Sequence, residues 1–197
     1  MDLLHISRTY SGCLMMESQA GYGAYDVDEV EIVGYDPRWP LLFNEEANRL
    51  RSALDPSLIV GLEHFGSTAI SGMPAKPIID ILIAVRSLAA AQATFVEALG
   101  KLDYVYWADN PKKDRMFFVK GMPPFGSKRS HHVHVTELEG EMWRRLAFRD
   151  YLRANPQEAK IYERLKRSLA ADHQKDREAY TNGKSAYVEN VMRKAGK

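Results

Sequence analysis

The run Pro77-Ile78-Ile79-Asp80-Ile81-Leu82-Ile83-Ala84-Val85 leaves the chain few choices. It is short, rich in β-branched residues and far below the length of a membrane span, so it reads as the central strand of a sheet. Such a strand needs partners on both edges and helices over its faces, and the rest of the sequence must supply them. Asp80 is the exception inside the run. Burying a carboxylate unpaired costs several kcal/mol, so Asp80 belongs at a strand end, on a cleft or against a cation, and Lys76 is a candidate partner.

The flanking sequence provides the other elements. Residues 30–33 predict a strand closed by Gly34-Tyr35-Asp36-Pro37. Asp36 as cap and Pro37 at the first position then predict a helix whose Trp39, Phe43, Ala47, Leu50 and Leu54 share one buried face. Residues 58–65 read as a strand, Ser87 caps a helix with stripe Leu88, Ala91, Phe95 and Leu99, and 102–107 and 116–120 read as strands paired across Asp109-Asn110-Pro111. A loop over 121–126 leads to a strand at 131–135, and helices follow over 141–154, 156–172 and 176–194. Residues 1–27 carry neither period and read as an N-terminal extension, with Met15-Met16 as a candidate start; 28–195 form the domain. The expectation is an α+β fold, a mixed sheet flanked by helices with a helical C-terminal tail from about 141.

The charge balance narrows the partners. Twenty-seven Lys plus Arg against 26 Asp plus Glu leave +1, so no global field draws the protein to nucleic acid, which is not an expected partner. Cys13 is the single cysteine, which rules out an intramolecular disulfide and fits a reducing compartment, the cytoplasm. No apolar run is long enough for a membrane span.

The residues with chemistry cluster in three places. Gly66-Ser67-Thr68 follows a strand, where glycine lets an anion approach the backbone and the hydroxyls add donors; an ordinary tight turn with Ser67 as a cap is the plainer reading. His132 and His134 alternate on one strand face, suited to a metal or a phosphate, or to structural hydrogen bonds. Arg115 and Arg129 lie close in the chain and add guanidinium forks for phosphate. His64, before the glycine turn, is a weaker candidate for ligand contact or an orienting donor. Tyr151, Tyr162, Tyr180 and Tyr187 read as packing between tail helices, and Arg144-Arg145, Arg164 and Lys166-Arg167 as a solvated face.

These residues also carry a family resemblance. Tyr35-Asp36-Pro37-Arg38-Trp39-Pro40, His64-Phe65-Gly66-Ser67-Thr68-Ala69-Ile70, Ala75-Lys76-Pro77-Ile78-Ile79-Asp80, His132-Val133-His134-Val135, Phe148-Arg149-Asp150-Tyr151-Leu152-Arg153-Ala154-Asn155-Pro156, Tyr162, Lys166 and Asp176-Arg177-Glu178-Ala179-Tyr180 with Lys184 resemble the GrpB family in order and spacing. The resemblance implies the nucleotidyltransferase superfamily fold, in which a Gly-Ser turn binds nucleotide phosphates and the next strand presents two alternating carboxylates to divalent metal. Here Ile78 and Leu82 flank Asp80 at that spacing, so the strand offers one; Glu63, Asp114 and Glu137 are candidates for a second acid.

The resulting expectation is a protein that binds a nucleotide or phosphorylated small molecule, with metal-dependent nucleotidyl transfer as the reaction if it is an enzyme. Asp80, His132 and His134 would hold a divalent ion, magnesium or manganese with zinc as the alternative. Gly66, Ser67, Thr68, Lys76, Arg115 and Arg129 would hold phosphate. Two rivals stand beside it: a non-catalytic interaction or folding-helper module with a protein partner, a coenzyme A-linked one included, and a single-metal hydrolase.

Overall fold

The computed structural model describes residues 29–110 and 113–197, together with the backbone of Ile6–Arg8 and Leu14–Met16. Five strands form the body of a mixed sheet: β3 (Ile59–Phe65), β4 (Ile79–Val85), β5 (Tyr104–Tyr106), β6 (Arg115–Lys120) and β7 (His131–Glu137). The short strands β1 (Ile6–Arg8) and β2 (Leu14–Met16) continue it at the β5 edge, giving the order β1-β2-β5-β6-β7-β4-β3. These two come from the segment expected to be an extension, and the remainder of that segment lies outside the described residues. So does Pro111 of the expected β5–β6 turn.

The apolar run is strand β4, flanked by β3 antiparallel and β7 parallel. Its period of two splits the sheet into unlike faces. Ile79, Ile81, Ile83 and Val85 join Phe118, Val133 and Val135 in the main core, beneath helices α1 (Trp39–Ala53) and α2 (Leu88–Gly100). Asp80, Leu82 and Ala84 face the other way, and register places His132, His134 and Thr136 beside them.

That second face is covered by the tail: α3 (Glu141–Arg144), α4 (Leu146–Ala154), α5 (Pro156–Asp172), α6 (Arg177–Asn182) and α7 (Ser185–Lys194). Two of the three expected tail helices are broken, the first at Arg145 and the third at Gly183-Lys184. Gly61 lets the tail come close. A Cβ there would meet Trp143 Cη2 at 2.7 Å. The tail anchors on Ile70 and Met73, which pack with Leu152, Tyr162 and Val191, so the helices rest on the β3–β4 connection and leave a cleft over β4, β7 and β6.

Two local expectations need correction. Residues 30–33 do not form a strand; Val33 alone makes an isolated antiparallel bridge to Ala75, while the Val30 N–H donates to Gln174 O at 2.7 Å. The chain there spends its hydrogen bonds on the β3–β4 connection and on the tail rather than on a sheet edge. Helix α1 begins at Trp39, with Arg38 as N-cap and Pro40 in its first turn. Asp36 caps one step early, accepting the Arg38 N–H at 2.8 Å.

Candidate metal and phosphate site

Asp80 is the second residue of β4 and His132 the second of β7, and parallel register sets them side by side. His132 Nδ1 and Asp80 Oδ1 are 3.0 Å apart. Because ionised aspartate can only accept, Nδ1 carries the proton and the Nε2 lone pair is left free. His134 stands two residues on, stacked on Phe117 with centroids 4.7 Å apart. One ligand atom from each of Asp80, His132 and His134 lies within 4.8 Å of the others. His132 Nε2 and His134 Nδ1 are buried without a hydrogen-bond partner.

Electrostatics prepares this trio for a cation. Burial lowers the His132 imidazole to about 4, against the pull of Asp80, and Arg129 and Lys76 push the same way. Burial likewise lowers His134 to about 3. Both rings are therefore neutral near pH 7, the form that ligates. Burial works to raise the Asp80 carboxyl, but its hydrogen bond to His132 and the surrounding positive charges outweigh that and leave it below the usual range. The result is one ionised carboxylate and two neutral imidazoles, a donor set that fits one ion of the zinc or manganese type better than magnesium, which favours oxygen ligands.

The carboxylate's other oxygen rests against the glycine turn. Gly66 has φ 70° and ψ −168°, a region open essentially to glycine alone. The turn continues as a single 3-10 turn, Ser67–Ala69, in which Gly66 and not Ser67 holds the cap position. Thr68 is buried, its hydroxyl 3.4 Å from Ile78 O and 3.0 Å from His64 Nε2.

These residues open into a cleft of about 560 Å³. Of the residues named from sequence, Gly66, Ser67, Thr68, Lys76, Asp80, Arg115, Arg129, His132 and His134 all line it. His64 does not; it points into the opposite face, stacked on Phe43 at 4.6 Å. Lys76 makes no contact ion pair with Asp80, which instead accepts from His132 Nδ1; the Lys76 Nζ lies 5.3 Å from the centre of the Tyr180 ring. The candidate second acids do not join the trio. Glu63 accepts from Arg149 at 2.8 Å, Glu137 from the Leu88 N–H at 3.2 Å, and Asp114 lies 3.7 Å from Arg115.

The tail supplies the part of the cleft that sequence reasoning missed. Lys166, expected on a solvated face, is 2% exposed and donates to Pro74 O. Tyr162 and Tyr180 pack between helices as expected, yet also form a wall of the cleft with Arg177 and Lys184. Eight cationic side chains and three carboxylates line the whole. The one sequence signal for the tail residues was their place in the motifs of the family resemblance.

Comparison with known proteins agrees with this architecture. A family model described as GrpB protein matches residues 29–194. A UPF0157 protein of Pseudomonas aeruginosa is 47% identical over 171 residues, covering 86% of this chain and 69% of that one. A dephospho-CoA kinase of Mycolicibacterium paratuberculosis is 32% identical over 84% of this chain, which is 46% of its own length. The crystal structure of conserved protein GrpB from Enterococcus faecalis aligns with a TM-score of 0.74 at 34% identity, covering 84% of this chain and 96% of that one.

Proposed function

The chain belongs to the GrpB family, and from that premise we propose that its cleft binds a nucleotide or another phosphorylated small molecule together with one divalent ion. The observation that carries this reading is the convergence of Asp80, His132 and His134 at the floor of a cleft whose walls are strongly cationic. The order of strand, Gly66-Ser67 turn and carboxylate strand supports a nucleotidyltransferase-like reading of the fold. Asp80 Oδ2, His132 Nε2 and a His134 nitrogen would hold the ion, zinc or manganese before magnesium. Bound there, the ion would supply Lewis-acid polarisation of a phosphoryl oxygen. The Gly66-Ser67 turn admits phosphate close to the backbone, and Lys76 and Arg115 offset its charge.

Two-ion phosphoryl transfer fits poorly. Ions about 4 Å apart need more acidic donors than this trio offers, and Leu82 occupies the position where a second strand carboxylate would stand. If the protein transfers nucleotidyl groups, it does so with one ion. Calorimetry with ATP, GTP, CTP and UTP, with and without zinc, manganese or magnesium, tests the proposal. Metal-dependent binding that weakens at least tenfold in Asp80→Ala supports it; binding to none of them, or binding indifferent to Asp80→Ala, refutes it.

Leu82 also favours a second reading, in which the domain binds its ligand without chemistry and serves a protein partner. The likeness to part of a dephospho-CoA kinase makes a coenzyme A-linked role one form of it. A pull-down whose yield is the same for wild type and for Asp80→Ala supports this reading over the first.

A further inference from the structure

The cleft is not cationic throughout. Of its three carboxylates, Asp80 lies on the floor, whereas Glu178 and Glu189 belong to the corner between α6 and α7, as do Thr181, Asn182 and Ser185. The spacing is helical on both sides of that corner. Glu178, Thr181 and Asn182 stand at i, i+3 and i+4 on α6, and Ser185 and Glu189 stand one turn apart on α7, so each set shares a face of its helix, and all five line the cleft. All five are exposed, and among the described residues none of their side chains has a hydrogen-bond or ion-pair partner. Two carboxylates thus stay unpaired in a cleft that also holds eight cationic side chains.

The corner is fixed from behind. A Cβ on Gly183 would meet Leu169 Cδ2 of α5 at 2.5 Å, so a glycine is what lets the corner seat against that helix. Elsewhere on α7, Val191 is buried and the Tyr187 hydroxyl donates to Glu158 O at 2.9 Å. With α7 pinned in this way, Ser185 and Glu189 are held toward the cleft before any ligand arrives, which lowers the ordering cost of using them.

The chemistry of the corner selects its ligand. Exposed carboxylates repel an anion that would fill the whole cleft, so they direct the negative end of a ligand toward the trio and leave a neutral, proton-donating part for themselves. Hydroxyl groups both donate and accept, which matches a mixture of carboxylate, amide and hydroxyl side chains, whereas an ammonium group only donates. Two neighbouring hydroxyls can donate to the two oxygens of one carboxylate.

We propose that the α6–α7 corner, with Glu189 as the principal acceptor and Thr181, Asn182 and Ser185 beside it, binds the vicinal hydroxyls of a sugar carried by the phosphorylated ligand. The proposal rests on the phosphate-binding reading of this cleft and sharpens its substrate class to compounds that join a sugar diol to phosphate, either a sugar phosphate or a ribonucleotide.

The test is calorimetric titration, in the presence of manganese, with ribose 5-phosphate, ATP, GTP, CTP and UTP and with the 2-deoxy counterpart of each. At least one of the hydroxylated compounds should bind about tenfold or more tightly than its deoxy counterpart, the scale of one hydrogen bond to a charged group. Glu189→Ala should bring that ratio below about threefold. The ratio is the readout because loss of a negative charge alone strengthens both members of a pair alike, and a melting curve on the variant checks its fold. A preference confined to ribose 5-phosphate identifies a sugar phosphate, and one shown by a triphosphate identifies a nucleotide. Equal affinity within every pair that binds, or a ratio that Glu189→Ala leaves unchanged, overturns the sugar subsite and leaves the phosphate-binding reading standing. Binding of none of these compounds removes that reading and the subsite with it.

Discussion

A Cβ on Gly66 would stand 2.3 Å from Asp80 Oδ2. The glycine turn and the carboxylate strand are thus fitted to each other, since the absence of a side chain at one residue is what gives the other its place. Gly66→Ala would impose both that clash and a φ near 70° on a residue with a side chain. The expected result is a loss of roughly 1–3 kcal/mol in denaturant unfolding, with Asp80 displaced from His132 and divalent-ion affinity reduced. Unchanged stability would mean the turn can relax away from Asp80.

Metal binding should depend unequally on the trio. His132 donates to Asp80 through Nδ1 and so has only Nε2 to offer, whereas Asp80 has a second oxygen. His132→Ala should abolish the rise in melting temperature that zinc gives the wild type. Asp80→Asn, which can still accept from Nδ1–H, should weaken zinc binding by roughly 10–100-fold, the range typical of losing a carboxylate behind a ligating imidazole. Equal loss in both would refute this unequal dependence.

Sheet and helices were largely legible because the apolar run and the helical stripes obey simple periods. β4, β7, α2 and α5 fall where their patterns put them. The His132 and His134 pairing with Asp80 followed from period two on one strand and one anomalous acid on another, with register completing the match. His64 shows the limit of that logic. It neighbours Phe65, which lines the cleft, but strand alternation turns its ring to the other face, against Phe43 of α1. Lys166 and Lys184 were harder still. Periodicity tells which way a helical residue points along its own helix, but only the docking of the tail onto Ile70 and Met73 decides that those lysines meet the sheet's polar face.

The buried His64 makes stability pH-dependent. Burial lowers its imidazole from 6.5 to about 4, opposed by Asp80 and reinforced by Arg153 and Arg149. The unfolded chain therefore binds more protons than the folded one between about pH 6.5 and 4. Stability must fall as pH drops through that window and stop falling, for this group, below it. At 1.36 kcal/mol per unit the contribution is on the order of 3 kcal/mol. His132 and His134, lowered in the same way, add to the acid limb, so His64→Gln, which can keep a hydrogen bond to Thr68, should make that limb of a plot of urea midpoint against pH shallower without removing it; a limb as steep as the wild type's would assign the acid sensitivity elsewhere.

Arg149 is the clamp between the tail and β3. Its Nη1 donates to Glu63 Oε2 at 2.8 Å and to His64 O at 2.7 Å, while Nε donates to Asp150 Oδ1 at 2.8 Å. The side chain is 8% exposed, so these bonds work where water cannot replace them and removing the fork strands the His64 carbonyl. Arg149→Ala should cost about 3 kcal/mol in denaturant unfolding. Arg149→Lys keeps the charge but cannot reach three acceptors in one plane, so it should recover less than half of that loss. The same variants should loosen the seat of α4 over the cleft and weaken ligand binding, since Arg149 is also one of the cations that line it. Full recovery by lysine would show that charge alone, and not the planar fork, holds the tail to the sheet.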